Sequence, residues 1–175
     1  MSMDQNLEAR FAATKVLVVD DEHYMRKVVR ALLMSIGVRT VYEAPDGVAG
    51  LEAIRTLGPD VVILDWEMPG LDGPGFTRMV RSPETFPFPD VPIIMLTGHG
   101  EKARVVRALE CGVNEFLLKP VSSKALRDRM VSVLMRPRPM VRSGNYYGPK
   151  PRQLTAVRSE IDRTQIDQTQ VVLVN

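Results

Sequence analysis

The sequence predicts an α/β fold, a five-stranded parallel sheet with helices on both faces. Three observations predict it. Short, β-branched apolar runs alternate with segments of helical periodicity five times along the chain. The runs are apolar throughout, as expected of strands buried on both faces. Several of them end abruptly on acids, a hydroxyl or a lysine, where an open parallel sheet places its ligand crevice.

The elements follow in order. Lys15–Asp21 (KVLVVDD) reads as the first strand, and Met25, Val28, Val29, Leu32, Leu33 and Ile36 form a helical stripe that Gly37 stops. Arg39–Ala44 is a weaker strand, and the helix after it carries Leu51 and Ile54 inward and ends at Gly58-Pro59. Asp60–Asp65 (DVVILD) is the third strand. The next helix spans about Gly73–Arg81, with Asp72 as N-cap and Pro74 in the first turn, where its missing N–H does no harm. A Pro-rich loop leads to the fourth strand, Pro92–Thr97, then a helix over Glu101–Gly112 and the fifth strand, Glu115–Lys119. Ser122 or Ser123 caps a last helix that runs to Met135. The ten methionines are expected to fill the core, and Cys111 to be a small buried hydrophobe.

Composition narrows the function. The chain has 175 residues, 45% hydrophobic and 25% charged, with a net charge of +2 and one cysteine, Cys111. These values describe a globular protein of a reducing cytoplasm, without a disulfide framework or a strong field for nucleic acid. Residues 1–13 lack the apolar centre of a signal peptide, no run approaches a membrane span, and neither a membrane nor nucleic acid is an expected partner. Between Asp128 and Glu160 there is no acid but there are seven bases, with Pro137, Pro139, Pro149 and Pro151 among them. That shift places a boundary near Met135. The expected organisation is an N-terminal extension (1–13), a domain over 14–135, and a basic Pro-rich C-terminal extension (136–175) whose last segment, TQVVLVN, could form a strand.

Asp20 and Asp21 close the first strand and Asp65 the third. If these strands are neighbours, three carboxylates converge, and their repulsion raises a pKa or recruits a hard cation such as Mg²⁺. Thr97 and Lys119 end two further strands. A hydroxyl, an ammonium and a divalent cation around one carboxylate make a site for a dianion, and the group most suited to addition there is a phosphoryl group. The milder alternative, Asp20-Asp21-Glu22 as a simple helix cap, leaves Asp65 and Lys119 unexplained.

The segments VVDDE, VILDWEMPGLDG, PIIMLTG and EFLLKPV, in this order, resemble the receiver domain of two-component response regulators over about Thr14 to Met135. The resemblance implies a flavodoxin-like sheet, Asp65 as phosphoacceptor, and Mg²⁺ held by Asp20, Asp21, Asp65 and the backbone carbonyl of Glu67. It implies that Thr97 and Lys119 bind phosphoryl oxygens and that the Lys119–Pro120 bond is cis. Thr97 and Phe116 would form the switch. Phosphorylation would let the Phe116 ring turn inward and change the face made by the receiver's fourth helix, fifth strand and fifth helix. Glu67 and His99, each two residues past a site residue, would modulate phosphoryl lifetime and could pair with each other. Trp66 could cover the site or cap the core.

The expected function is that of a single-domain, chemotaxis-regulator-like response regulator. It is a phosphoacceptor rather than an enzyme acting on other substrates, it takes part in its own phosphotransfer and autodephosphorylation, and it carries no DNA-binding output domain. Its partners would be a histidine kinase or histidine phosphotransfer protein and a downstream protein target. A homodimer could form through the C-terminal arm or the helix 4, strand 5, helix 5 face. The stretch Tyr147-Gly148-Pro149-Lys150 is similar to extensions on some alphaproteobacterial single-domain receivers, from which Pro151 among the bases departs. An arm ordered on the receiver or on a partner is the expectation there. Two alternatives remain at this point: a pseudo-receiver that is never phosphorylated, and an aspartyl-phosphate phosphohydrolase. The second class carries an Asp two residues after its nucleophile, where this chain has Glu67.

Overall fold

A computed structural model describes residues 1–98 and 102–151. Its elements are α1 (Met3–Ala13), β1 (Lys15–Val19), α2 (His23–Ser35), β2 (Thr40–Ala44), α3 (Gly47–Leu57), β3 (Val61–Asp65), α4 (Gly73–Val80), β4 (Ile93–Thr97), α5 (Lys102–Glu110), β5 (Glu115–Leu118), α6 (Ser123–Met135), β6 (Met140–Ser143) and β7 (Tyr146–Pro149). The first five strands form one parallel sheet in the order β2-β1-β3-β4-β5. The chain reverses its direction of winding between β1 and β3, and that switch point opens a crevice at the carboxyl ends of the strands.

The continuous apolar runs are explained by two cores, one on each face of the sheet. Successive side chains alternate faces. Leu17, Val19, Val62, Leu64, Ile93 and Met95 point to one core, where they meet Leu51 and Ile54 of α3, Phe76 and Val80 of α4 and Ala108 of α5. Val16, Val18, Val61, Ile63, Ile94 and Leu96 point to the other, against Val29 and Leu33 of α2 and Leu126, Met130 and Val133 of α6. The helix starts are capped as their sequences allow. Asp46, Asp72 and Ser122 each accept a hydrogen bond from a backbone N–H of the first turn of α3, α4 and α6.

Two segments expected as an extension and an arm form secondary structure that the sequence reading did not specify. Residues 3–13, read only as an extension, form α1. A reciprocal cap starts it: Ser2 Oγ accepts from Gln5 N–H at 3.2 Å, and Ser2 N–H donates to Gln5 Oε1 at 3.0 Å. Phe11 is buried in the core beside α2 and α6, with Leu7 packed against it. The second element is the antiparallel hairpin β6–β7, turned by Gly144 at φ +57°. It sits at the amino-terminal end of the five-stranded sheet, away from the crevice. Arg138 donates to the Asn114 carbonyl at 2.6 Å, Arg142 pairs with Glu84 at 2.7 Å, and the Tyr147 hydroxyl donates to Asp90. The approach is close: a Cβ on Gly148 would lie 2.9 Å from the Gly112 Cα. The TQVVLVN segment lies outside the described residues.

The methionine expectation holds in part. Met68, Met95 and Met130 are buried, whereas Met1, Met3, Met34, Met79 and Met135 are exposed. Cys111 is buried, and burial pushes its thiol pKa up. Among the described residues, no helix is long and apolar enough to cross a membrane.

Candidate functional site

β1 and β3 are neighbours in register, so the acids that end them converge. One carboxylate oxygen from each of Asp20, Asp21 and Asp65 lies within 4.8 Å of the others. Asp20 and Asp65 are buried, at 1% and 4% exposure, while Asp21 is exposed. The simple-cap reading of these acids fails, because the N-cap of α2 is Glu22, whose side chain makes no cap bond. Asp20 instead accepts from the Glu22 N–H through Oδ1 at 2.9 Å, and Arg26 donates to the Asp20 carbonyl at 2.8 Å.

β5 lies two strands from β3, and the chain beyond it returns Lys119 to the acids. Lys119 Nζ is 2.7 Å from Asp65 Oδ1 and 3.9 Å from Asp20 Oδ2. The Lys119–Pro120 bond is cis. Thr97, the last residue of β4, is 3% exposed, and its carbonyl accepts from the Lys119 N–H at 2.8 Å. The Gly73 N–H donates to the Trp66 carbonyl at 2.9 Å, seating the start of α4 against the end of β3. A Cβ on Gly73 would stand 2.8 Å from the Asp65 carbonyl oxygen, so this junction needs a glycine.

The electrostatics show a site short of positive charge. Burial, with further repulsion from Asp65 and Asp21, pushes the Asp20 pKa up to about 6 against the Glu22 N–H bond and Lys119. Burial also raises the Asp65 pKa, and the Lys119 hydrogen bond and charge only partly offset it. For Lys119 burial acts downward, but the bond to Asp65 and the charges of Asp65 and Asp20 outweigh it and the pKa is raised. A single ammonium therefore does not balance the two buried carboxylates. Asp20 Oδ2 confirms the shortfall, since among the described residues it is the buried side-chain oxygen with no hydrogen-bond partner. An unsatisfied carboxylate oxygen beside two others is the donor set of a hard divalent cation. The residues present fit one.

The remaining predicted residues are placed as follows. Phe116 is 1% exposed and packs with Val105 and Leu109 of α5. The ring therefore lies inward, as suits a phenyl ring with no hydroxyl to hydrate. Glu67 follows β3 with its side chain 61% exposed and pairs with Arg104 of α5 at 2.9 Å. His99, its expected partner, lies outside the described residues. Trp66 is buried in the core that faces α3, α4 and α5, and Arg104 and Arg107 lie over its ring at 5.0 and 5.9 Å from the centroid. Neither arginine was singled out in the sequence. On a helix they read as solvated bases, and only the fold brings residue 104 to residue 67.

Comparison with known proteins agrees with this geometry. The response regulator receiver domain model matches residues 16–131. The chain is 38% identical to the chemotaxis protein CheY1 of Helicobacter pylori over 121 residues, covering 69% of this chain and 96% of that protein. It is 30% identical to chemotaxis protein CheY-3 of Vibrio cholerae over 122 residues, covering 70% and 92%. Among solved structures, the receiver domain of the Francisella response regulator 1452 superposes with a TM-score of 0.63 at 28% identity, covering 70% of this chain and 98% of that one. With a family model matched over most of the chain and relatives covered almost end to end, this chain belongs to the response regulator receiver domain family.

Proposed function

We propose that the chain is a phosphorylatable response regulator that accepts a phosphoryl group on Asp65 from a phosphohistidine and switches a protein partner. One observation carries this reading. Lys119 Nζ sits 2.7 Å from Asp65 Oδ1 while the neighbouring Asp20 Oδ2 is buried without a hydrogen bond. The site thus holds a carboxylate nucleophile and one fixed cation, with a donor set ready for a second. In the transfer, an Asp65 carboxylate oxygen bonds to phosphorus as the phosphorus–nitrogen bond breaks, and the electron pair leaves on the donor imidazole. Lys119 and the Thr97 hydroxyl bind phosphoryl oxygens. Asp20, Asp21, Asp65 and the Glu67 backbone carbonyl would hold Mg²⁺, which when bound supplies charge neutralisation to the phosphoryl oxygens.

The modification brings a charge of about −1.5 to −2 to the end of β3. Thr97 drawn towards that charge leaves its place near β5, and the packing of Phe116 with Val105 and Leu109 transmits the shift to α5. The α5–β5–α6 surface is then the output face for a downstream protein target. The phosphodonor is a histidine kinase or histidine phosphotransfer protein, and self-association would use the same face or the C-terminal arm. Glu67 and His99 modulate phosphoryl lifetime.

Trp66 is the only tryptophan and directly follows Asp65, so it reports the reaction. Acetyl phosphate, or beryllofluoride as a phosphoryl mimic, is expected to change its fluorescence only when Mg²⁺ is present. An unchanged signal with both reagents would favour the pseudo-receiver. Steady turnover of small phosphate esters would favour the phosphohydrolase.

Cation binding should depend on pH. The folded-state pKa of Asp20 is raised from 3.8 to about 6, so the folded state holds this proton more tightly than the unfolded chain. Between those values the metal-free protein loses stability as pH rises. A bound cation removes that penalty, and protons compete with it at lower pH. Mg²⁺ is therefore expected to raise the Tm clearly at a pH well above 6 and little at a pH well below it. An equal rise at both would contradict the assignment of Asp20.

A further inference from the structure

Every polar atom of Asp20 but one is held by a hydrogen bond. Its N–H donates to the Ala44 carbonyl at 3.2 Å, Oδ1 accepts from the Glu22 N–H at 2.9 Å, and its carbonyl accepts from Arg26 Nη1 at 2.8 Å. The exception is Oδ2, which is buried without a hydrogen-bond partner. Arg26 makes its contact from the first turn of α2 and reaches further. Its Nε lies 3.3 Å from Glu43 Oε1, and its Nη2 lies 3.3 Å from His23 Nδ1. The Arg26 and Glu43 side chains are 12% and 15% exposed, so the pair is largely shielded from water.

Glu43 is a firm anchor. It lies on β2 opposite Val18 of β1, and Lys27 and Arg30 each donate to its Oε2 at 2.9 Å. Burial acts to raise its pKa, but the bonds from Lys27 and Arg30 outweigh that and the pKa is lowered, so the anchor is ionised at neutral pH. The Asp20 carbonyl belongs to the peptide group that joins Asp20 to Asp21. That group is planar, so a bond that fixes its plane also fixes the directions in which the two carboxylates leave the chain. A guanidinium is suited to the task, since its rigid fork can engage a carbonyl and a carboxylate together. Glu43 matches its charge, so the arginine braces the turn without opposing a cation at the acids.

We propose that Arg26 is a positioning residue for the cation, braced on Glu43 and fixing the Asp20–Asp21 peptide so that both carboxylates are preset to ligate. This rests on the reading of Asp20, Asp21 and Asp65 as the Mg²⁺ site. Without the brace, the two acids have to be ordered when the cation binds, and affinity falls.

The test is a Mg²⁺ titration of the full chain without a phosphodonor, followed by Trp66 fluorescence and by Tm, beside urea unfolding of the metal-free protein. Arg26→Met keeps the bulk of the side chain and removes the donor. Its midpoint is expected at about tenfold higher Mg²⁺, with the same signal at saturation. Glu43→Gln removes the anchor's charge and leaves that of Arg26 unmatched next to the acids. Its midpoint should rise about threefold at low ionic strength and less in high salt. A wild-type midpoint in Arg26→Met, whatever its metal-free stability, would assign Arg26 to the fold alone and overturn the proposal. If Arg26→Met does not fold, Glu43→Gln decides, and an unchanged midpoint there overturns it equally. If the wild-type chain responds to Mg²⁺ in neither signal, the cation-site reading and this inference fall together. That failure is told apart from the others because it precedes any comparison of midpoints.

Discussion

An Asp65→Asn chain takes up no phosphoryl group from acetyl phosphate or from a phosphorylated kinase, and it remains folded. Both halves of this expectation follow from the site. The amide lacks the carboxylate nucleophile, and among the described residues no other buried carboxylate in the site has a lysine at hydrogen-bond distance: Asp20 stands 3.9 Å from Lys119, against 2.7 Å for Asp65. The substitution also removes one of two buried acids whose pKa values are raised mainly by burial. It therefore relieves a desolvation cost, and stability at neutral pH is expected to hold or increase. Loss of labelling accompanied by unfolding would show that Asp65 is needed for the structure instead. Lys119→Ala removes the ammonium that Asp20 and Asp65 face and should lower stability in the absence of Mg²⁺. Urea titrations of the two variants, with and without Mg²⁺, separate these effects.

Replacing Arg81 by Met should cost about 3 kcal/mol of stability and lower the Tm by roughly 10 °C. Arg81 sits at the end of α4 and is 5% exposed. Its guanidinium donates to the carbonyls of Gly112, Pro89 and Val91 at 2.8, 2.6 and 2.8 Å and to Asn114 Oδ1 at 2.9 Å. Burial pulls its pKa down to about 10, so it remains charged at neutral pH. One side chain thus joins the end of α4, the Pro-rich loop before β4 and the turn into β5. Met fills a similar volume but leaves four acceptors short of a donor. The hairpin covers the same place, with the Tyr147 carbonyl against Gly112 and Arg138 on the Asn114 carbonyl. Ending the chain at Met135 should therefore destabilise the receiver as well. Chemical denaturation measures both, and a loss below about 1 kcal/mol for Arg81→Met would mean that water satisfies those carbonyls in its place.

The parts of this molecule that were legible in the sequence share one property, a local pattern with no second meaning. Val61–Leu64 can only be a strand buried on both faces, and a carboxylate directly after it has to be paired. The same holds for Asp20 after Lys15–Val19 and for Lys119 after β5. What was missed depends on contacts distant in sequence. The N-terminal helix shows only Leu7 and Phe11 at helical spacing, too little to separate it from a solvated extension, and its stability comes from burying Phe11. The hairpin carries a Gly-Asn turn between Ser143 and Tyr146, a usable signal; the sequence reads as an arm ordered on the receiver or on a partner, but among the prolines and bases its strand pairing is not legible. Arg81 and Arg104 both look like exposed helix bases. One is a buried strut and the other is paired across 37 positions with Glu67, and neither fact is written in its neighbours.

The most direct measurement is to treat the chain with acetyl phosphate and Mg²⁺, reduce it with borohydride, which converts an aspartyl phosphate to homoserine, and map the peptides by mass spectrometry. Homoserine at position 65, formed only when Mg²⁺ is present, is the predicted result. Conversion at another acid, or at position 65 regardless of the cation, would contradict it.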